Sequence, residues 1–212
     1  RDIGEKEKRK IREVLNDYKN SFEKIKNIFL RDPVIKARTR NVGVLKKEEA
    51  LKLCAVGPTA RASGVKKDVR QDDACMAYSD LEIEAITPDM LTGEIRGDVY
   101  DRIVVRLLEV KQSIDLIEQA LEGMPSGKIL YEEKLPKLLA ELKKVEGEGI
   151  GRYEAPRGEV FHYVKLTGEE FPYQWKVRAP TYSNLMPWVP MLKGEQIADI
   201  SIVAASTDPC IS

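Results

Sequence analysis

The sequence predicts an α+β protein, a mainly helical bundle with a small antiparallel β element near its C-terminus. Two long segments carry apolar residues at helical spacing, whereas two short segments after residue 158 are rich in β-branched and aromatic residues. The 212 residues are 42% hydrophobic and 33% charged, which suits a globular chain with a sizeable core. We expect one domain, with a helical region at 1–149 and a hairpin with the C-terminal segment at 150–212.

The first predicted helix lies near the N-terminus, where apolar residues between Ile11 and Phe29 recur every three or four positions. Pro33 should end this helix near Leu30. Because its apolar stripe has the width of a core-facing helix, we expect it to pack on its own chain. A short helix is expected from Lys47 to Cys54, with the pair Gly57-Pro58 ending it.

The clearest helix is predicted after Asp98, a natural N-cap, and it should close at Gly123 and Pro125. Before it, the alternation over Leu81–Ala85 favours a strand. After it, a shorter helix is expected over 135–145. The glycines of 146–151 then predict a break in regular structure.

The C-terminal third is predicted to contain a β-hairpin. Its strands are Glu159–Lys165 and Tyr173–Arg178, connected through the region of Thr167 and Gly168. Residues 179–194 contain three prolines and favour an ordered loop with at most a turn of helix. An apolar stretch at 200–205 follows.

Composition excludes several classes of function. Thirty-five basic residues balance 35 acidic ones, so no nucleic-acid partner is expected. The apolar runs are too short to span a bilayer. Three scattered cysteines and one histidine provide neither a disulfide framework nor a local zinc motif. Since the chain begins with Arg1 and shows no signal peptide, we expect a fragment or a processed chain.

Four polar motifs depart from the pattern of a plain helical domain. Each is weighed against a plainer interpretation, such as a buried junction, a capped helix or a histidine satisfied in the core. Arginines next to glycine or proline can present a guanidinium from a fixed backbone to a small cavity. The motifs are Gly57-Pro-Thr-Ala-Arg-Ala-Ser-Gly64 with Asp68-Val-Arg70, Gly97-Asp-Val-Tyr-Asp-Arg102 with Arg106, Glu154-Ala-Pro-Arg-Gly158, and Asp208-Pro-Cys210.

In order and spacing these motifs, with Arg178-Ala-Pro-Thr181, resemble the large subunit of nickel–iron hydrogenases over about residues 37–212. The likeness is greatest to the energy-converting, membrane-associated group, which is related to the quinone-site catalytic subunit of respiratory complex I. Asp208-Pro-Cys210 favours the hydrogenase branch, because that family ends in Asp-Pro-Cys-x-x-Cys and holds nickel with four thiolates. The upstream Cys-x-x-Cys pair and the proton-relay glutamate of the family are absent from this sequence.

The resemblance implies a role for each matched residue. Arg157 and Asp208 would be catalytic, and Cys210 would be a metal ligand. Contacts to the cofactor would come from a set of neighbours: Pro156, His162, Ala179, Pro180 and Thr181. In the complete subunit the cofactor would be a nickel–iron centre with cyanide and carbonyl ligands. One thiolate cannot hold it, so we expect none bound by these 212 residues.

Cys54 and Cys75 do not replace the missing pair, since they are 21 positions apart. We expect Cys54 to be packed on its helix and Cys75 to be semi-buried. Without a metal to tie the terminus to the core, residues after about Thr207 should be poorly held.

The implied reaction is the reversible oxidation of dihydrogen to protons and electrons, which pass to a small iron–sulfur subunit. That subunit should dock near 57–70 and 150–158. Further expected partners are membrane subunits, a maturation endopeptidase and nickel-insertion chaperones. The protein would then be cytoplasmic and peripheral on the inner face of the membrane. Two alternatives stay open: a metal-free, complex I-like quinone-site subunit, and a non-catalytic scaffold.

Overall fold

A computed structural model describes residues 3–125, 127 and 134–210 of the chain. Its α-helices are α1 (Glu5–Arg31), α2 (Pro33–Thr39), α3 (Lys47–Lys52), α4 (Gly57–Ala62), α5 (Val69–Asp72), α6 (Asp89–Thr92), α7 (Val99–Gly123), α8 (Leu135–Leu142), α9 (Pro180–Leu185), α10 (Trp188–Leu192) and α11 (Ile200–Ser206). Three antiparallel strands form one sheet in the order β1 (Glu146–Ala155), β2 (Gly158–Thr167) and β3 (Gln174–Arg178). The predicted α+β class is confirmed.

The N-terminal helix α1 ends where the sequence indicates. It stops at Arg31, and Asp32 then caps α2 by accepting hydrogen bonds from the backbone N–H groups of Val34 and Ile35 at 2.7 and 3.0 Å. Pro33 occupies the first position of α2, where the absence of an N–H group costs nothing.

Packing of α1 on its own chain is confirmed for part of its apolar stripe. Leu15 and Phe22 are buried against Ile114 of α7. Val14 and Tyr18, by contrast, are 61% and 52% exposed. The apolar stripe of α1 is therefore wider than the part of it that packs against α7.

The long helix α7 is anchored at its N-terminus, as predicted. The carboxylate of Asp98 accepts a hydrogen bond from Asp101 N at 2.9 Å and one from Asn41 N at 2.8 Å. One turn on, the fully buried Arg102 donates to Gly97 O, Gly43 O and Ser206 Oγ at 3.0, 2.9 and 2.8 Å. Burial lowers the pKa of Arg102 to about 10, although the charge of Asp98 opposes that effect.

Around Arg102, three distant parts of the chain meet in one hydrophobic cluster. Its buried members are Leu45, Ala50, Val99, Met191 and Val203. The apolar stretch predicted at 200–205 is helix α11, and it contributes Val203 to this cluster.

The region after α3 differs from the prediction. Helix α3 ends at Lys52, and Cys54 has a positive φ of 54° and is exposed rather than packed. Gly57 and Pro58 do not end that helix but begin the next, α4, because proline is favoured in a first helical turn. Cys75 is exposed rather than semi-buried.

The predicted strand at Leu81–Ala85 is wrong. Among the residues that the structure describes, this segment has no strand partner, and glutamine side chains bind its backbone instead. Gln119 accepts a hydrogen bond from Glu82 N at 2.9 Å, and Gln112 donates one to Glu84 O at 2.9 Å.

The predicted break at 146–151 is also wrong, since these residues begin β1. The register pairs Gly147, Gly149 and Gly151 with Leu166, Val164 and His162 of β2, so the three glycines share one face of the sheet. The pairing between β2 and β3 confirms the predicted hairpin. Glycine disfavours a strand by itself, but the hydrogen bonds to β2 stabilise one here.

The proline-rich segment 179–194 is more regular than predicted, since it forms α9 and α10. Pro180 lies at the start of α9, where the ring does not interrupt the helical hydrogen bonds. Within the described ranges, no helix combines the length and the apolar character needed to cross a membrane.

Candidate functional site

Arg157 and Asp208 meet at the centre of the candidate site. Arg157 lies in the tight turn between β1 and β2, and Asp208 follows α11. Arg157 Nη2 donates to Asp208 Oδ1 at 3.2 Å, and Arg157 Nε lies 2.8 Å from Asp208 Oδ2. Both side chains are about two-fifths exposed, at 37% and 45%, so they form a site that opens to the surface.

A second arginine holds the same carboxylate from the other side. Arg106 of α7 lies 3.5 Å from Asp208 Oδ2 and donates to Ser206 O at 3.2 Å. Burial lowers the pKa of Arg106, while the charge of Asp208 acts to raise it. Asp208 itself has a positive φ of 50°, a conformation that costs energy for a residue with a side chain.

Cys210 is held by Thr181 on helix α9. The Thr181 hydroxyl oxygen accepts a hydrogen bond from Cys210 N at 2.7 Å and lies 2.9 Å from Cys210 Sγ. A hydroxyl has one proton and two lone pairs, so Thr181 can donate to this sulfur or accept from the thiol. Trp188 Nε1 also donates to Thr207 Oγ1 at 3.1 Å. The prediction of a poorly held segment after Thr207 is therefore wrong as far as Cys210; residues 211 and 212 lie outside the described residues.

The remaining predicted residues fall into two groups. Ala179 and Pro180 are buried at the start of α9, directly before Thr181, and Pro156 directly precedes Arg157. His162 instead lies on β2, where its Nδ1 atom accepts a hydrogen bond from Trp175 Nε1 at 3.1 Å. The roles of these residues stay predictions. All of the residues except His162 lie on segments that also carry Arg157 or Thr181.

Beneath the site lies a buried ion network around Arg61 of α4. The side chain is 2% exposed, and its Nε and Nη1 atoms donate to Glu109 Oε1 at 2.7 Å and to Glu154 Oε1 at 2.9 Å. The same Nη1 atom lies 3.5 Å from Asp68 Oδ2. The network therefore joins α4, α7 and β1 under the turn that carries Arg157.

Two carboxylates of this network respond differently to burial. Burial raises the pKa of Glu154, and the charge of Arg61 only partly offsets this. Burial acts on Asp68 in the same direction. A hydrogen bond from Arg70 and the charges of Arg61 and Arg70 outweigh it, so the pKa of Asp68 is lowered.

A cavity of about 420 Å³ adjoins this network. It extends from Arg106 and Pro156, next to the candidate site, to Tyr78 and Tyr153. The hydroxyls of these two tyrosines are 3.2 Å apart, and this hydrogen bond is the main cause that raises the pKa of Tyr78 to about 12. No pattern in the sequence indicates the tyrosine pair, because its members are 75 positions apart.

Docking of a partner near 57–70 and 150–158 stays a prediction. Residues 57–64 are buried beneath other segments of the chain, whereas Lys66 and Lys67 are exposed. The predicted motif at 57–70 thus contributes to the interior, through Arg61 and Asp68. Within 3–125, 127 and 134–210, no group of three or more His, Cys, Asp or Glu side chains could hold a metal ion.

Comparison with known proteins places the chain among components of redox complexes. The family model described as the respiratory-chain NADH dehydrogenase 49 Kd subunit matches residues 1–212. The membrane-bound hydrogenase subunit alpha of Pyrococcus furiosus is 48% identical over 215 residues, which cover 100% of this chain and 50% of that protein. An NADH-quinone oxidoreductase subunit of Dehalococcoides mccartyi is 34% identical over 198 residues, covering 93% of this chain and 51% of that protein.

A solved structure has the same fold. A chain in the structure of the membrane-bound sulfane sulfur reductase, an archaeal respiratory membrane complex, matches with a TM-score of 0.85 and 30% sequence identity. The match covers 98% of this chain and 54% of that chain. The chain thus spans about half the length of the proteins that it resembles.

Proposed function

This chain belongs to the family of the respiratory-chain NADH dehydrogenase 49 Kd subunit, and we propose that it is the C-terminal part of a nickel–iron hydrogenase large subunit. The relatives of the chain are subunits of oxidoreductase complexes. The proposed reaction is the reversible oxidation of dihydrogen to protons and electrons. The electrons would pass to an iron–sulfur subunit.

One observation carries this proposal: Cys210 is held in place beside an arginine–carboxylate pair. Two contacts with Thr181 fix its backbone and its sulfur, at 2.7 and 2.9 Å. Two residues earlier, Asp208 pairs with Arg157. The 48% identity to a membrane-bound hydrogenase subunit favours the hydrogenase branch over the quinone-linked branch.

The donor set of this chain fits only part of a nickel–iron centre. Cys210 supplies one soft thiolate of the type that nickel prefers. Cys54 and Cys75 are exposed, and within the described residues no group of three or more His, Cys, Asp or Glu side chains could hold a metal ion, so they do not complete the set. The other thiolates would come from outside these 212 residues.

When bound, a nickel–iron centre supplies the chemistry that splits dihydrogen. The residues of this chain would shape and charge its surroundings. A thiolate at Cys210 would accept a hydrogen bond from the Thr181 hydroxyl, which would stabilise the negative charge on the sulfur. Arg157 provides a positive charge, which is paired with Asp208.

Asp208 keeps that charge in a fixed position. It contacts both Arg157 and Arg106, so the Arg157 guanidinium cannot turn freely towards solvent. Ala179 and Pro180 are buried directly before Thr181. These small apolar residues exclude water from that side of the site.

We further propose that the protein works as a peripheral subunit, bound to membrane subunits on the cytoplasmic side. This rests on relatives that are named as parts of membrane-bound complexes. An iron–sulfur subunit, a maturation endopeptidase and nickel-insertion chaperones would be its other partners.

The test compares the complete parent protein with its Arg157→Lys variant. In the wild type we expect about one nickel per subunit, together with infrared bands from cyanide and carbonyl. Arg157→Lys should keep the metal but lower hydrogen turnover by about 100-fold, because lysine replaces a planar fork with a flexible point charge. A folded, nickel-containing variant with unchanged turnover would contradict the role of Arg157.

The same purification separates the alternatives. The match to the 49 Kd subunit family and the 34% identity to a quinone oxidoreductase subunit favour a quinone-site protein as the second candidate. A wild-type complex without nickel but with quinone reductase activity would support that candidate. A complex with neither property would support a scaffold.

A further inference from the structure

Helix α9 carries two polar side chains that contact different parts of the site. Thr181 contacts Cys210, and Asn184 lies three positions later, on the same side of the helix. Asn184 is 3% exposed, so each of its polar atoms requires a partner within the protein.

The three hydrogen bonds of the Asn184 side chain all go to backbone atoms. Its Oδ1 atom accepts from Val56 N at 3.0 Å, and its Nδ2 atom donates to Val56 O at 3.3 Å. The same Nδ2 atom also reaches Arg157 O at 3.5 Å. The amide carries its donor and its acceptor on separate atoms, so it can bind the N–H and the C=O of Val56 at the same time.

The residue after Val56 explains why this contact affects Arg157. Gly57 has a φ of +62°, and a Cβ atom placed on it would lie 2.4 Å from Arg157 O and from Gly158 Cα. The backbone at Gly57 therefore supports the Arg157 turn directly, with no room for a side chain between them. By fixing Val56, Asn184 fixes the surface on which that turn rests.

We propose that Asn184 is a positioning residue, which sets the location of Arg157 relative to Cys210 through the backbone of Val56 and Gly57. With Thr181 on the same helix, α9 defines the separation between the guanidinium and the sulfur. The proposal rests on the proposed function, since only there does this separation affect turnover.

The size of the effect follows from the geometry. Loss of the amide frees the Arg157 carbonyl and Val56, and the turn can then move away from α4. Displacement of a catalytic group by about 1 Å can lower turnover by up to about 100-fold. Arg157 keeps its ion pair with Asp208, so we expect a smaller loss, of about tenfold in kcat.

The experiment uses the complete parent protein in its complex, with Asn184→Ala as the variant. We expect wild-type nickel content, shifted cyanide and carbonyl infrared bands, a kcat lowered about tenfold and an unchanged KM for dihydrogen. The matched control is Thr87→Val, which removes a fully buried hydroxyl that has no hydrogen-bond partner among the described residues. This control should leave the bands and kcat unchanged.

The outcomes separate this inference from the proposed function. A wild type without cyanide and carbonyl bands would refute the proposed function, and the inference with it. A wild type with these bands and an Asn184→Ala variant with identical bands and kcat would refute only the inference. Where Asn184→Ala does not assemble, Asn184→Leu removes the same hydrogen bonds with less loss of volume. Failure of both variants to assemble would show that Asn184 holds the fold, and would overturn the positioning role.

Discussion

Arg61 should be one of the most sensitive positions for stability in the chain. Its guanidinium is 2% exposed and contacts Glu109, Glu154 and Asp68 at 2.7, 2.9 and 3.5 Å. In Arg61→Met the side chain keeps most of its volume but loses its charge. Three carboxylates then remain close together, although Arg70 still contacts Asp68 at 2.7 Å.

The expected loss of stability follows from the carboxylates that the substitution leaves buried without their partner. Removal of one partner from a buried ion pair costs about 3–5 kcal/mol, because the other charge stays buried without compensation. For a chain of this size, each kcal/mol lowers the melting temperature by about 2–4 °C. We therefore expect Arg61→Met to melt about 6–20 °C below the wild type.

Thermal and urea unfolding of the variant measure this loss. The matched control is Lys143→Met, which breaks an ion pair with Glu170 whose side chains are 49% and 63% exposed. An exposed pair contributes at most about 1 kcal/mol, so the control should unfold close to the wild type. The double variant Arg61→Met/Glu154→Gln should recover part of the loss, since it removes one uncompensated charge. If Arg61→Met and Lys143→Met were equally stable, the network would not hold α4 and β1 together.

Three further predictions concern single positions. Gly57→Ala should destabilise the protein by more than about 1 kcal/mol in urea unfolding, whereas Gly123→Ala, which has open space around it, should not. Burial raises the pKa of Glu154, so the folded state binds this proton more tightly than the unfolded chain. As the pH rises above 4.5, the wild type should therefore lose stability relative to Glu154→Gln; a difference that stays constant with pH would contradict this. Arg102→Met should cost about 1–3 kcal/mol in the same assay, because it leaves the buried Gly43 carbonyl without a donor, whereas the Gly97 carbonyl keeps its hydrogen bond from Leu45 N.

The helices were the most predictable part of the fold. Apolar spacing and the capping residue Asp98 predict α7 correctly, because these signals are local in the sequence. The glycine-rich start of β1 gives no such signal, since pairing with β2 decides its conformation. Leu81–Ala85 shows the converse: the alternation is present, but no strand lies beside it.

For the candidate site, the motifs identify residues without showing their contacts. The sequence names Arg157, Asp208 and Cys210, and the structure brings Arg157 and Asp208 into one ion pair. The sequence could not indicate Asn184, because its hydrogen-bond partner Val56 is 128 positions away. A single asparagine in a loop-like segment resembles any turn residue.

The contacts of the last helix bear on the order in which the protein folds. Ser206 of α11 accepts a hydrogen bond from Arg102, which lies 104 positions earlier in the chain. Closing such long loops costs entropy before any contact repays it, so non-local parts of a fold form slowly. The segment around Cys210 also leaves the ribosome after α1 and α7, which can begin to pair as soon as both are made. We expect this segment to dock as one of the final folding steps, so that a ligand of Cys210 meets a fully formed pocket only in a completed chain.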